Sequence, residues 1–443
     1  MSTKGDARIV RAWTMYDWAN SAYSLTITSA VFPMFYVGIT DAYGAERFID
    51  RFGVPAASLY SYALSAGFLL VALVVPLLSG IADRRGNKLN YLKFFCYLGA
   101  ASCAGLYFFS VDRLWIGLAC VVLACAGFSG SLVFYDAYLP EIAAKRDHDR
   151  ISARGYTMGY IGSVILLVIN LLMVMDPDGD GTTLLGIPDE GGYAARLTFI
   201  SVAIWWVGWA QWPFRLLPDR AGPAPEEKHV IWSGYQELRK VWLQLTHLPR
   251  LKRYLGAFFV FNMGIQTVMY LAVSFAKQEV RQPDGSPIAD DSLIISVLII
   301  QLLAALGAMA FVRLSRLFGN VRTLLIGCAA WVMACVIAWR VQWTHEFYGL
   351  AALVGSIMGG CQALSRSTYA KFLPTTRDTA SFFSFYDVSY YLGTVLGTLV
   401  YGAVYQVTGD LRNTAVALGL FFIIGGALLL RVPDEERPMP AEG

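Results

Sequence analysis

The sequence is short of charge. Only 15% of its 443 residues are Asp, Glu, Lys or Arg, against 56% hydrophobic, whereas soluble domains carry roughly 25% charged residues. Histidine is scarcer still: His148, His229, His247 and His345 are all there are, and each lies outside the long apolar runs. That placement argues against an intramembrane metal centre or a histidine-based membrane enzyme. No Cys-x-x-Cys pair occurs among Cys96, Cys103, Cys120, Cys125, Cys328, Cys335 and Cys361, so neither a disulfide framework nor a zinc site is indicated, and they read as small packing residues. An excess of one charge sign is missing too: 35 basic against 32 acidic residues leave a net charge of +3. Such a balance gives no field to attract nucleic acid. The period-2 alternation of a membrane barrel is absent, and no nucleophile, base and orienting group stand together at a catalytic spacing.

What the chain has in abundance is apolar length. Twelve apolar runs occupy 13–38, 57–81, 91–110, 114–139, 155–175, 195–217, 254–276, 291–314, 323–341, 347–372, 381–407 and 412–431. About 20 residues of helix cross a hydrocarbon core of about 30 Å, and only a helix satisfies every backbone donor and acceptor there without a closed barrel. The sequence therefore predicts an all-α membrane protein with twelve transmembrane helices. The first run is too long, with the wrong flanks, for a cleaved signal peptide. Lys and Arg concentrate on the side that holds both termini, which places the termini in the cytoplasm and the protein in the cell (inner) membrane.

The longest polar connection, 218–253, contains the breaker run AGPAP and divides the chain into an N-terminal six-helix bundle, 1–217, and a C-terminal one, 254–443. Within it Ile231, Tyr235, Leu238, Trp242 and Leu245 recur with helical spacing. The expected form is an amphipathic helix on the inner leaflet with membrane lipid as its partner; docking of a soluble partner is the other reading. The two bundles carry matching landmarks. Tyr138-Leu139-Pro140 and Phe372-Leu373-Pro374 recur at an offset that Gly86 and Gly319 share to within one residue, which points to a pseudo-symmetric six-plus-six duplication.

Between the second and third runs, SGIADRRGNK (79–88) resembles the major facilitator signature G-x-x-x-D-R-x-G-R-K. Asp83 can accept from free amides at a neighbouring helix start, Arg84 can pair with a carboxylate, and Gly86 permits the turn, so the loop reads as a gating latch. Ser79 and Asn87 depart from the signature, and the copy near Arg316 and Gly319 lacks the Asp. A basic loop obeying the positive-inside rule would need no latch, but the combined spacing favours the latch. YDWANSAY (16–23), YDAYLPEIA (135–143), ISARGYTMGYIGS (151–163), GGCQALSRSTYAKFLP (359–374) and SFFSFYD (381–387) together resemble the unknown major facilitator family, related to the fungal autophagy-associated vacuolar amino-acid effluxers. The resemblance implies a twelve-helix secondary transporter, with amino acids the best-attested substrate class among relatives.

Arg366 is the conspicuous residue. It falls in the cytoplasmic third of the tenth run, on one face with Gln362 and Tyr369, while Asp387 sits at similar depth in the eleventh beside Tyr386, Tyr390 and Tyr391. A lone charge at a helix centre in lipid costs roughly 2.5–3.5 kcal/mol, so Arg366 and Asp387 are expected to pair. Two readings stand: the pair pins two helices together, or the guanidinium grips a substrate carboxylate while Asp387 orients it. Asp17, Ser21, Ser24 and Thr28 form a stripe in the first run with Tyr16, Asn20 and Tyr23 beside it; the fourth adds Ser129 and Asp136; the seventh repeats Asn262, Gln266 and Tyr270. By major facilitator analogy these runs and the tenth line a central pathway. The candidate substrate-binding residues are thus Asn20, Tyr23, Asn262, Gln266, Tyr270, Gln362 and Arg366.

Asp17 and Asp136 either stand close enough for one to hold a proton, giving proton coupling, or are two helix-end carboxylates in cytoplasmic water. No other cofactor and no metal is expected. DPDGDG (176–181) imitates half an EF-hand loop through Asp176, Asp178, Asp180 and Gly181, but Ile187 stands where the closing Glu belongs, so a turn is the reading. The function expected is alternating-access transport of a small polar, amino-acid-like or carboxylate-bearing solute by a monomer, the latch favouring an outward-open form. Its rivals are a carrier of lipid, glycolipid or cell-wall fragment, suggested by 14% aromatic residues, and a non-transporting membrane sensor or scaffold.

Overall fold

Each of the twelve apolar runs falls on helix in a computed structural model, which describes residues 4–176, 181–188, 190–219 and 230–433. The first half comprises α1 (Ala7–Ala22), α2 (Val31–Tyr43), α3 (Ala45–Phe52), α4 (Ala56–Arg85), α5 (Lys88–Gly105), α6 (Leu114–Asp136), α7 (Leu139–Ile142), α8 (His148–Val174) and α9 (Tyr193–Leu216). After α10 (Val230–Thr246) come α11 (Pro249–Glu279), α12 (Asp290–Phe318), α13 (Asn320–Arg340), α14 (Thr344–Phe372), α15 (Thr379–Thr408) and α16 (Leu411–Leu429). Among the described residues, nine helical runs are long and apolar enough to cross a membrane. The helices α5, α9 and α15 fall outside that set, their aliphatic content diluted by basic, hydroxyl and aromatic residues.

The first run is not one uniform helix. Between α1 and α2, Tyr23–Ala30 is π-helical. The Val31 amide bonds to Thr26 O, five residues back, and Ser29 Oγ donates to Ser24 O over the same interval at 2.9 Å. Ser24 Oγ in turn donates to Ser21 O at 3.0 Å. Serine hydroxyls that compete for main-chain carbonyls widen the turn, as π-bulges near functional sites do.

Glycine decides which helices come together. A Cβ at Gly355 or Gly359 of α14 would collide with the carbonyls of Ile300 and Ala304, so the backbones of α14 and α12 lie in direct contact. This is the small-residue packing that substitutes for a hydrophobic driving force inside lipid. On α8, Gly159 and Gly162 likewise admit Ser21 Oγ and Trp18 O of α1. In the first half α5 packs along α6 and α1 along α8 and α9; in the second α12 packs along α14, and α11 and α13 along α16. Across the halves α8 meets α12 and α14, and α4 and α6 meet α15. Gly5 N donates to Ile142 O at 2.8 Å and Arg253 Nη1 to Arg431 O at 3.0 Å, while Arg250 lies over the Phe372 ring. Both described chain ends therefore sit at the same end of the molecule. Gly86 and Gly319 both have positive φ, +67° and +81°, costly for any residue with a Cβ, but their ψ angles of 19° and 162° make the two turns different.

Two expectations change. The linker helix α10 buries Gly234, Val241 and Leu245, whereas Tyr235 and Trp242 are exposed with Trp232; the Ile231 side chain lies outside the described residues. Gly234 selects that face because its carbonyl touches Gly80 of α4, where no larger residue fits. His148 is the first residue of α8 and fully buried, not outside the helices; its Nε2 donates to Ala143 O at 3.3 Å. The cysteines are free and six of the seven are buried, Cys120 being partly exposed. Of the EF-hand-like stretch, Asp178 and Asp180 lie outside the described residues, and Asp176 Oδ2 accepts from the Gly181 amide at 2.9 Å.

Replacing Gly359 by Leu should lower stability by on the order of 1–3 kcal/mol through overpacking. The same change at Gly349, where a Cβ meets nothing within 4 Å, should leave the melting temperature nearly unchanged. Thermal melts in detergent compare the two; equal melting temperatures would contradict the packing described.

Candidate functional site

The glycines of α8 and α14 bring Arg366 to the junction of the two halves, where it is 1% exposed. Its Nη1 donates to Asp136 Oδ1 at 2.9 Å and its Nη2 to Asp17 Oδ2 at 3.1 Å. Nε reaches Ser152 Oγ and Nη2 the Ser152 carbonyl, both at 3.0 Å. The guanidinium carbon lies 4.2 Å from the Tyr156 ring and 4.8 Å from Trp13. Tyr135 Oη donates to the same Asp17 oxygen at 2.7 Å, and Trp13 Nε1 fixes the Tyr135 carbonyl at 2.9 Å. A Cβ at Gly155 would strike Asp17 Oδ2 and stand 2.9 Å from Arg366 Nη2. Only glycine leaves room for this pair.

The expected Arg366–Asp387 pair does not form. Although α14 and α15 are consecutive, α15 packs along α11 and α4, while α14 turns Arg366 towards α1 and α6 of the other half. Spacing identified the polar face of α14 but not which helix it meets. Asp17 and Asp136 are indeed neighbours, both buried, with Arg366 between them; they are not exposed helix-end carboxylates.

Beside Arg366 lies a cavity of about 140 Å³. Asp17, Asn20, Ser21, Ser24, Thr28, Asp136, Gln266, Tyr270, Gln362, Arg366 and Asp387 line it. Two candidates do not. Tyr23 is buried between Phe128 and Trp206, at ring distances of 5.0 and 5.8 Å. Asn262 stands behind the wall: its Nδ2 donates to Tyr390 O at 3.3 Å and its Oδ1 accepts from Gln266 Nε2 at 3.1 Å. Gln266 Oε1 then accepts from Tyr390 Oη at 2.8 Å, so Asn262 sets the orientation of the amide that does face the cavity. Missed in the sequence were Ser152, Tyr156, Tyr160 and Gln301, from α8 and α12. Ser152, Tyr156 and Tyr160 stand four residues apart within ISARGYTMGYIGS, a helical face that was legible. Tyr160 Oη donates to Gln362 Oε1 at 2.6 Å, tying the halves above Arg366. Gln301 carried no pattern.

The cavity is closed towards the end that holds the termini. There Asp83 accepts from the Ala380 and Ser381 amides at 3.2 and 2.7 Å, capping α15 as the signature loop leads one to expect. The cation that closes on Asp83 is Lys88, the last residue of the motif, at 3.6 Å; Lys88 also pairs with Glu141 and donates to Thr379 Oγ1 at 2.6 Å. The second loop lacks its own Asp, and Asp149 of α8 supplies one, accepting from Asn320 Nδ2 at 2.8 Å, Ser367 Oγ at 2.7 Å and Lys371 Nζ at 2.5 Å. Lys240 of the linker helix bonds Asp378, the residue before α15, at 2.8 Å. Partial desolvation pulls Lys240 down, but Asp378 and Glu237 outweigh it and hold its pKa above the usual lysine value. In the other direction the cavity shares Thr28, Ser29, Tyr270 and Gln301 with a wider chamber of about 420 Å³, which reaches Tyr60 of α4 and Thr398 of α15.

This fold is that of the major facilitator transporters. The Escherichia coli fucose:proton symporter superposes with a TM-score of 0.68 over 97% of this chain and 98% of its own, at 15% identity. The human organic anion transporter MFSD10 gives 0.72 over 96% and 100%, at 14% identity. Within that class the chain belongs to the family described as vacuole effluxer Atg22 like, whose profile matches residues 5–441. The MFS-type transporter YxiO of Bacillus subtilis is 30% identical over 424 residues, covering 96% of this chain and 94% of that protein. Autophagy-related protein 22 of Yarrowia lipolytica is 24% identical over 488 residues, covering 89% and 79%. The chain is a multi-pass membrane protein of the secondary-transporter class.

Arg366→Ala leaves Asp17 and Asp136 buried without a cation and should destabilise the protein by about 3–5 kcal/mol. Combining it with Asp17→Asn and Asp136→Asn should recover much of that loss in thermal melts; no recovery would mean that charge is not what Arg366 contributes. Asp83→Asn should weaken the cap on α15 by about 0.5–2 kcal/mol, read as faster hydrogen exchange at the Ala380 and Ser381 amides. Unchanged protection there would remove Asp83 from the latch.

Proposed function

We propose that the protein moves a small polar, amino-acid-like solute across the cell membrane by alternating access. In this reading twelve helices span the membrane as two pseudo-symmetric six-helix bundles, 1–217 and 254–443, joined by the linker 218–253 with both termini cytoplasmic. The family membership supports transport; the cavity supports a polar cargo. One observation carries the proposal: hydroxyl, amide and charged side chains from both halves converge on a single cavity, sealed at one end by ion pairs between those halves. With cytoplasmic termini, the sealed end faces inward and the wider chamber faces outward. Opening the other way requires Arg366 to part from Asp17 and Asp136, and Asp83 from α15. Both are contacts between halves, so both can break in one rocking motion.

The amide, hydroxyl and charged groups set among the aromatic residues of the lining, Asn20, Ser21, Ser24, Gln266 and Gln362 with the carboxylates, favour this cargo over a lipid or glycolipid, whose acyl chains would leave them without partners. Proteoliposomes should accumulate at least one radiolabelled amino acid, and Gln266→Ala should slow uptake by roughly tenfold or more, the worth of a lost hydrogen bond to a charged ligand. Vesicles that take up no amino acid but translocate a labelled lipid would replace this reading with the lipid carrier.

A further inference from the structure

The charges around the cavity do not balance. Its lining holds one guanidinium, Arg366, and three carboxylates, Asp17, Asp136 and Asp387. Arg366 gives its two ion pairs to Asp17 and Asp136, and its remaining hydrogen bonds go to Ser152. Asp387 is left over. It is 5% exposed, and its Oδ2 makes no hydrogen bond among the described residues. The groups that bear on it are Asp136 from α6, Arg366 and Tyr369 from α14, and its own neighbours Tyr386, Tyr390 and Tyr391. Arg366 is already shared by two other acids, and Asp136 repels. An uncompensated carboxylate taken out of water is among the costliest burials a protein can make, so a positive charge belongs at Asp387.

Two further buried polar atoms on the same lining also lack partners, Asn20 Nδ2 and Gln301 Oε1. Together the cavity offers an anionic acceptor, a neutral acceptor and a neutral donor. Among the described residues it offers no cation outside an ion pair: Arg366 has four of its five N–H donors engaged and its charge already shared by Asp17 and Asp136.

We propose that Asp387 is the receptor for a cationic amine, so that the solute is recognised by its ammonium group, and that a proton occupies the same carboxyl when the cavity is empty. The proposal rests on the transport reading above and narrows its substrate class. On loading, the Asp387 O–H bond breaks, its electron pair stays on the carboxylate, and the proton passes to water. An ammonium N–H then donates to Oδ2, so the ammonium replaces the proton charge for charge, and a carboxylate on the solute adds one negative charge to the cavity. Tyr390, on the same lining, supplies an aromatic ring suited to a cation, while Asn20 Nδ2 can donate to the solute's carboxylate or carbonyl oxygen.

The test is a thermal-shift series on the purified full chain. Each common amino acid is compared with its methyl ester, which keeps the ammonium and loses the carboxylate charge, and its N-acetyl derivative, which does the reverse. At least one amino acid and its ester should raise the melting temperature, its N-acetyl form should not, and Asp387→Asn should weaken both binders by roughly tenfold to a hundredfold. Stabilisation by N-acetyl forms but not esters would overturn the inference and return recognition to Arg366, leaving transport itself intact. Stabilisation by none would overturn it as well, with uptake deciding the transport reading separately. Independently of any solute, the infrared band of a protonated carboxyl should be present in the empty wild type and missing in Asp387→Asn; its absence from the wild type would remove the proton.

Discussion

A single guanidinium shared between two carboxylates across the midline is the constraint on which the rest of this molecule depends. Arg366 comes from α14, Asp17 from α1 and Asp136 from the last turn of α6, so the pair of ion pairs joins the second half of the chain to the first. Buried charges cost several kcal/mol each unless geometry and hydrogen bonding are complete. Here they are completed by Ser152, Tyr135 and the rings of Trp13 and Tyr156. That completeness has a consequence for the site. With four of its five N–H donors engaged and its charge shared by two acids, Arg366 is a lock between halves before it is a receptor, and the residue left with capacity to bind is Asp387.

Close helix approach is what makes the lock fit. Gly155 lets Asp17 and Arg366 meet against α8, and Gly355 and Gly359 press α14 onto α12. The glycines are therefore part of the electrostatics, because a methyl group at Gly155 would occupy the space of the carboxylate oxygen. The π-helical segment Tyr23–Ala30 belongs to the same economy: it turns Ser24, Thr28 and Ser29 towards the cavity while their neighbours stay in the core.

Around this centre the terminus-bearing end is fastened twice, in two different ways. Asp83 caps α15 directly from its own loop, whereas the matching loop after α12 has no acid and borrows Asp149 from α8. The linker helix joins the first fastening, resting on α4 through Gly80 and Gly234 and reaching Asp378 through Lys240. The end of α4 and the linker helix α10, far apart in sequence, thus meet at the start of α15, and an opening there has to release both contacts.

The sequence by itself determined the helices, their approximate limits and the polar stripes, because a segment in lipid must close its own backbone hydrogen bonds and a polar residue there announces itself by composition alone. Asp83 and Gly86 were legible as a turn that caps a neighbour, since that interaction is nearly local. Asp17, Gln266, Gln362 and Arg366 were legible as cavity residues for the same reason that a charge in an apolar run is costly. Only the tertiary structure decided partners. Arg366 and Asp387 lie close in the chain and at similar depth, yet α15 packs along α4 and α11, and the carboxylates that reach Arg366 come from α1 and α6. Tyr23 turned into the core, Asn262 became a support for Gln266, and α10 was rotated by the small size of Gly234 rather than by its aromatic stripe. Helical spacing names the residues on a face; which surface that face meets depends on where small side chains let backbones touch, and that is a property of pairs of helices that no single segment carries.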